Sequence, residues 1–465
     1  MDAPHLNTGG VMVEQDYRVI DHEPVARPTQ QILDWSDREI GVLIHYDIEV
    51  FDPDADLNTE QVPADKWRPL QLDTDQWIRT AKEAGATYAL LTAKHLSGFC
   101  LWPTGQHPYH VGNAPVNTDV IGEFFSSCRK YGLKPGVYFG LFSKYMEKIC
   151  RNADGSIDQE MMNRIYMKQI EEIVIHYGPV YEIWFDGGIL RPECGGPDMP
   201  GLLQRISPDT ICFGGEPGMS NVLRWSGSEQ GVAVPECWSA AHWIDGPDHP
   251  HVTTDSYGAP ADPVWAPVEV DMPPRDVIYA WQGGWMYRKE DDDKTYSGEY
   301  LFSRYLTSVG RNANLLLGML PDQTGRISED QVASFTEFGR LVRERLGRPA
   351  GEATEQQQGS MAVFFNYPVD VSYISAEEDQ SDGQRILEWV LETRWPDDWC
   401  RNGDDHWIPI AQGQSIGHKR IISIGHLIGY AFRVRIVSGY PNAKLKRVRV
   451  YGKPQQYTVY CERKV

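Results

Sequence analysis

Residues 165–188 constrain the fold more than any other stretch. Ile165 to Tyr177 carries apolar residues at helical spacing, and Gly178-Pro179 breaks it. Val180 to Phe185 is then an apolar run that stops at Asp186, followed by Gly187-Gly188. Helix, turn, buried strand, acid and glycine turn in that order make one repeat of an α/β barrel, whose chemistry sits where the strands end. Trp184, two positions before Asp186, points to the same face. Taken alone, a strand-end aspartate is as readily a surface residue as a catalytic one.

The same rhythm recurs. Gly41-Val42-Leu43-Ile44-His45-Tyr46 is an apolar run with a histidine at its end. Asp73 with Gln76 predicts a boxed helix start, with Trp77, Ile78, Ala81 and Ala84 inward and Gly85 as the stop. Thr87 to Ala93 is the second strand and leads into Lys94-His95. Asp119 opens a helix closed by Gly132, and Lys134 to Gly140 and Ile211 to Gly214 are further strands. Strands alternating with helices at this spacing predict a parallel sheet.

Residues 215–275 are rich in Pro, Gly, Asp and Trp and read as one long functional loop. Regular segments return with Val277 to Trp281, a helix near Tyr300 to Val309, the strand Asn314 to Gly318, and a helix from Ser328 boxed by Gln331. Beyond Gly351 only short alternating segments follow: Met361 to Phe365, Ile386 to Leu391, Phe432 to Val437 and Val448 to Gly452. The expected fold class is α/β: a (β/α)8-like barrel, regular or not, followed by a C-terminal β-sandwich. The expected division is 1–350, with an N-terminal arm, and 352–465.

Over 465 residues, 44 basic side chains face 65 acidic ones, a net charge of −21, which argues against nucleic acid and anionic membrane as partners. The first fifteen residues carry no signal-peptide pattern, and no run reaches membrane-span length. The chain as given is therefore expected in the cytoplasm, or secreted or periplasmic if a leader has been removed. Eight cysteines without a CxxC pair predict reduced thiols.

Three rim residues from different strands, His45, His95 and Asp186, with Trp102 and Trp184 nearby, predict a pocket for an uncharged polyhydroxylated ligand. Glycoside cleavage needs a second carboxyl group. Glu216, Glu229, Glu236 and Glu269 in the irregular region are the candidates. His107-x-x-His110 and His249-x-His251 are the rival metal ligands, but neither comes with paired Cys or an HExxH helix. No metal and no cofactor is expected, and dinucleotide, phosphate-loop and nucleophile-elbow motifs are absent from the sequence.

At the level of motifs, the chain resembles the α-L-fucosidases of glycoside hydrolase family 29. The resemblance rests on Pro28-Thr29-Gln30-Gln31, Gly41 to His45, Leu91-Thr92-Ala93-Lys94-His95, Gly98 to Pro103, Gly132 to Tyr138, Glu182 to Gly187, Asn314 to Leu317 and, beyond the barrel, Ile416 to Lys419. The glutamine-rich entry and Trp225-x-Gly227-x-Glu229-x-Gly231 look most like the branch acting on α-1,3/1,4-linked fucose. The resemblance implies a retaining double displacement on an oligosaccharide or glycoconjugate. Asp186 aligns with the nucleophile and His45 and His95 with sugar-binding histidines. Trp102, Tyr138, Trp184, Arg224 and Trp285 are implied pocket members, and Glu229 best matches the acid/base. Departures stand beside it: His95-Leu96-Ser97 replaces two histidines and an aspartate, Tyr46-Asp47 replaces an aromatic residue and glycine, and Met272-Pro273-Pro274-Arg275 replaces the usual stretch near Glu269. An α-L-galactosidase, or a silent sugar-binding relative, is the alternative.

Overall fold

The computed structural model describes residues 17–24, 26–57, 61–246, 249–277, 284–394 and 407–455. Eight parallel strands close into a barrel: β1 (Ile40–Ile44), β2 (Tyr88–Lys94), β3 (Lys134–Gly140), β4 (Glu182–Asp186), β5 (Ile211–Phe213), β6 (Val222–Trp225), β7 (Val268–Met272) and β8 (Ala313–Met319). Each pairs with the next, and β8 returns to β1 through Leu317 beside Val42. Their buried apolar residues form continuous cores inside the barrel and between it and the helices, as a parallel sheet covered on both faces requires.

Helix α1 (Gln30–Ser36) precedes the barrel, and α2 (Thr74–Glu83), α3 (Val120–Tyr131), α4 (Lys144–Ile149), α5 (Gln159–Tyr177), α6 (Met199–Ile206), α7 (Gly298–Thr307) and α8 (Glu329–Leu346) follow in order. Asp73 caps α2 through the Gln76 N–H, but Gln76 does not close the predicted box: its side chain bonds the backbone of Ile327 instead. Gln331 likewise spends its amide chiefly on Leu320, and Ser328 makes no side-chain cap. Both glutamines tie helices to neighbouring turns.

The stretch 215–275 is not one loop. It contains β6 and β7, with eight residues (214–221) and no helix between β5 and β6. Both strands are short, and β7 reads Val-Glu-Val-Asp-Met because alternate residues point into a polar barrel interior. The expected segment Val277 to Trp281 lies outside the described residues except for Val277.

After α8 comes an antiparallel sheet: β9 (Gly351–Ala353), β10 (Ser360–Glu378), β11 (Ile386–Arg394), β12 (Ile408–Gly413), β13 (Arg420–Gly439) and β14 (Leu445–Pro454). Strands β10 and β13 are bulged between Phe364 and Val369, and their two halves pair with different neighbours. Long strands that change sheets at a bulge are how a double layer turns its corners. One core, including Met361, Val371, Trp389, Phe432 and Val450, collects side chains from both halves. Arg18–Val19 adds a parallel edge to β13. The barrel meets the sheet through Lys419–Glu39 and through Glu236, which accepts from the N–H groups of Gln414 and Ser415.

Inside the barrel, Glu269 accepts from the Tyr88 hydroxyl (2.6 Å) and the Trp184 indole (3.0 Å), and Glu182 accepts from Trp35 (3.1 Å). Burial raises the pKa of both acids, and their proximity allows one proton to be shared. Glu269→Ala strands two buried donors and opens a cavity, so a loss of about 3 kcal/mol or more is expected in denaturant unfolding. The pair holds a proton that an unfolded glutamate, with its ordinary value of 4.5, releases. Its stabilisation is therefore complete below that value and is lost as pH rises through the folded one. Glu269→Gln should flatten that fall.

Six described cysteines, 100, 128, 150, 194, 212 and 237, are free thiols. No helix among the described residues is long and apolar enough to cross a membrane.

Candidate active site

The strand ends converge on a cavity of about 360 Å³ lined by Leu43, His45, Glu49, Leu57, His95, Leu96, Tyr138, Trp184, Asp186, Glu229, Asp271, Trp285, Met286 and Arg288. That volume suits a small-molecule site, for which about 300–1,000 Å³ is usual. His45 follows β1, His95 follows β2, Tyr138 lies near the end of β3, and Asp186 is the last residue of β4. Barrel closure therefore brings together residues far apart in sequence.

Tyr138 donates its hydroxyl proton to Asp186 Oδ2 at 2.6 Å. Burial and the Asp186 charge push the phenol pKa well up, so it stays a donor. One carboxylate oxygen is thus held and the other is left for chemistry. Trp184 stacks on Phe213 at 3.8 Å and its indole is anchored by Glu269. Trp285 lies 4.7 Å from the His45 ring between centroids, and Tyr138 and His95 stand 5.3 Å and 5.4 Å from it. Burial and the neighbouring His95 lower the His45 pKa well below its usual value, leaving a neutral imidazole suited to hydroxyl groups.

Glu229 arrives from the link between β6 and β7. Gly227 and Gly231 both have positive φ, 86° and 65°, and the Gly231 N–H bonds Asp271 O at 3.0 Å. A Cβ on Gly231 would stand 2.6 Å from Met272 Sδ, so glycine is required for the loop to fold back over β7. Burial raises the Glu229 pKa; a hydrogen bond with Trp285 works against this and the Asp186 charge adds to it. Asp271, buried on the same wall, accepts from Trp225 Nε1 at 2.7 Å, and burial pushes its pKa well up.

Two expected pocket residues stand elsewhere. Trp102 is buried outside the cavity, where its indole donates to Glu172 of α5 at 3.0 Å. Arg224 is buried too, with its guanidinium on the carbonyls of Ala266 (2.7 Å), Trp238 and Tyr257; it holds the irregular segment together. Of the rival glutamates, Glu269 is locked in the barrel interior and Glu236 on the C-terminal sheet. Glu216 is buried outside the cavity, its pKa pushed up to about 7 by burial and by Glu193 and Asp198. Sequence reasoning missed Glu49, Asp271, Leu57, Met286 and Arg288. The period-2 alternation of β7 was the available signal for Asp271.

Asp47, Glu49 and His95 bring ligating atoms within 4.8 Å of one another. Burial alone would lower the His95 pKa, but Glu49, 3.9 Å away, with Asp47 and Asp186 outweighs it and raises the value. A proton on His95 thus serves the charge balance that a cation would. Ser97 donates to Asp47 Oδ1 at 2.7 Å, so the two departures from the family pattern meet in one hydrogen bond. His107 bonds Gln169 at 3.0 Å in the interior and His110 caps a turn; the side chains of His249 and His251 lie outside the described residues. A second, mainly apolar cavity of about 410 Å³ also touches Asp186 and includes Leu141, Phe142, Ile189 and Leu190. Glu147 is its other acid, and Glu229 is not among its lining residues.

The sequence profile described as Alpha-L-fucosidase matches residues 58–345. The chain belongs to the α-L-fucosidase family. It is a glycoside hydrolase by that membership. Alpha-L-fucosidase 1 of Arabidopsis thaliana is 26% identical over 442 residues, spanning 85% of this chain and 81% of its own. A crystal structure from Bacteroides thetaiotaomicron, provisionally named an alpha-L-fucosidase, superimposes with a TM-score of 0.81 at 28% identity, covering 93% of this chain and all (100%) of that one. A Ruminococcus gnavus family 29 fucosidase solved in complex with fucose shares the fold with a TM-score of 0.76 at 19% identity, over 96% of this chain and 98% of that one.

Proposed function

We propose that this chain is a retaining exo-α-L-fucosidase that releases terminal α-linked L-fucose, through α-1,3 or α-1,4 linkages, from oligosaccharides or glycoconjugates. The observation that carries the reading is one cavity holding both Asp186, oriented by Tyr138, and Glu229, whose pKa is raised by burial. Asp186 attacks the anomeric carbon while Glu229 protonates the departing oxygen; water, deprotonated by Glu229, then releases the sugar. The two carboxyl groups should close to about 5–5.5 Å in the working site. His45, His95, Trp184 and Trp285 bind the sugar, and residues 1–350 and 352–465 form the catalytic and β-sandwich units.

Leu43, Leu57, Leu96 and Met286 give the cavity an apolar side. That side suits the C6 methyl of a 6-deoxy sugar better than the C6 hydroxyl of L-galactose, which would be left without a partner. The test is turnover of aryl α-L-fucoside against aryl α-L-galactoside, with the first product anomer followed by NMR. Faster fucoside turnover with the α-anomer formed first is expected. An initial β-anomer would overturn retention, a galactoside preference would overturn the sugar, and turnover of neither would leave the silent sugar-binding alternative.

A further inference from the structure

We propose that the indole face of Trp225 is the platform on which the leaving group rests, so that the substrate is a glycan whose departing part is itself a sugar ring. The proposal rests on the glycosidase reading of the cavity. Trp225 is 40% exposed, the most exposed tryptophan among the described residues, while Trp184 and Trp285, which line the cavity, are at most 8% exposed. Exposure of so large a ring costs apolar burial unless something covers it.

This ring is also fixed. Trp225 Nε1 donates to Asp271 Oδ1 at 2.7 Å, and Asp271 is buried in the cavity wall, 3% exposed. One edge of the indole is thus pinned to the site and a face is left to solvent. A stacking platform needs that arrangement, because the ring need not be ordered when the ligand arrives.

Its position fits the reaction. Trp225 ends β6, four residues before Glu229, and its anchor lines the cavity beside Glu229. In a double displacement the leaving group departs on the face of the acid, opposite the nucleophile. The second cavity beside Asp186 does not include Glu229, whereas Trp225 shares the acid's loop. Ser256 lies against Gly227, and the adjacent Tyr257 is 69% exposed, a second exposed aromatic residue in the segment beside the acid's loop. An apolar face with polar surroundings matches the C–H face of a pyranose ring.

The experiment compares kcat/KM for a fucosyl-α-1,3- or α-1,4-linked oligosaccharide with that for α-L-fucosyl fluoride, whose leaving group has no ring to stack. In Trp225→Ala the ratio of oligosaccharide to fluoride should fall by at least about tenfold, mostly through KM. Trp225→Phe, which keeps a ring and loses the N–H, should retain most of the ratio. An unchanged ratio in Trp225→Ala would overturn the platform. A ratio that falls as far in Trp225→Phe as in Trp225→Ala would also overturn it, since the indole would then act only by holding Asp271. Wild-type protein inert toward both substrates would instead bring down the glycosidase reading, and the platform with it.

Discussion

Asp186→Ala should lower kcat by about three to six orders of magnitude while leaving the circular dichroism spectrum and melting temperature close to those of the wild type. The carboxylate sits at the end of β4, where it accepts a hydrogen bond from Tyr138. Removing it frees a phenol that faces a cavity open to water, so the barrel loses little. What would be lost is the proposed nucleophile, and no neighbour is placed to replace it: Asp271 and Glu269 have raised pKa values and are pinned by indoles. With an activated fluoride donor, added azide should yield the β-L-fucosyl azide, the product of a single inversion. Retained activity above about one part in a hundred would remove Asp186 from the mechanism.

Glu229→Ala should show the complementary pattern. Proton donation contributes about 10²–10⁴-fold, so natural oligosaccharides should lose that much, and activated aryl fucosides, whose leaving groups need little protonation, should lose less. Azide should restore turnover and give the α-azide, because the nucleophile still acts first. The pH profile tests the same residue. A group whose pKa is raised donates its proton over a range extending above the ordinary glutamate value of 4.5, so wild-type kcat/KM should hold to higher pH and fall only as Glu229 ionises. That alkaline limb should vanish in Glu229→Ala. If Glu216→Ala or Glu236→Ala showed the azide signature instead, the acid would lie outside this cavity, against the placement of both side chains.

Which parts of this site could be read from sequence follows from how each part is encoded. Apolar runs that end abruptly in His45, Lys94-His95 and Asp186 announce both a strand and its rim, because a buried parallel strand has no other reason to stop at a polar residue. The strands β6 and β7 escape that logic. One has four residues, and the other carries Glu269 and Asp271 facing inward, so it resembles a polar loop until the barrel closes around it. Trp102 and Arg224 show a different gap. Both were expected in the pocket, Arg224 from the resemblance alone, but the direction of each side chain depends on partners more than forty residues away or on carbonyls of an irregular segment: Glu172 on α5 for one, Ala266, Trp238 and Tyr257 for the other. Glu229 was singled out by its match to the pattern of the resemblance; the flanking glycines alone showed a backbone free to turn and left Glu216, Glu236 and Glu269 open beside it.

The segment after Glu229 ends in a fastening whose meaning is temporal. Glu236 is held by the N–H groups of Gln414 and Ser415, and Cys237 O accepts from Asn312 at 3.0 Å and from the Ser415 hydroxyl. A ribosome has therefore made the whole barrel, α8 included, well before it makes Gln414 and Ser415. The barrel's own Asn312 and Arg311 already hold Cys237 O and Ala233 O, so the nascent barrel can close with part of this segment in place, and only the fastening of Glu236 waits for chain made about 70 residues after the barrel's last helix. In a chain cut short before residue 414, the segment after Glu229 should keep its barrel contacts and lose only the grip on Glu236 and the Ser415 bond to Cys237 O.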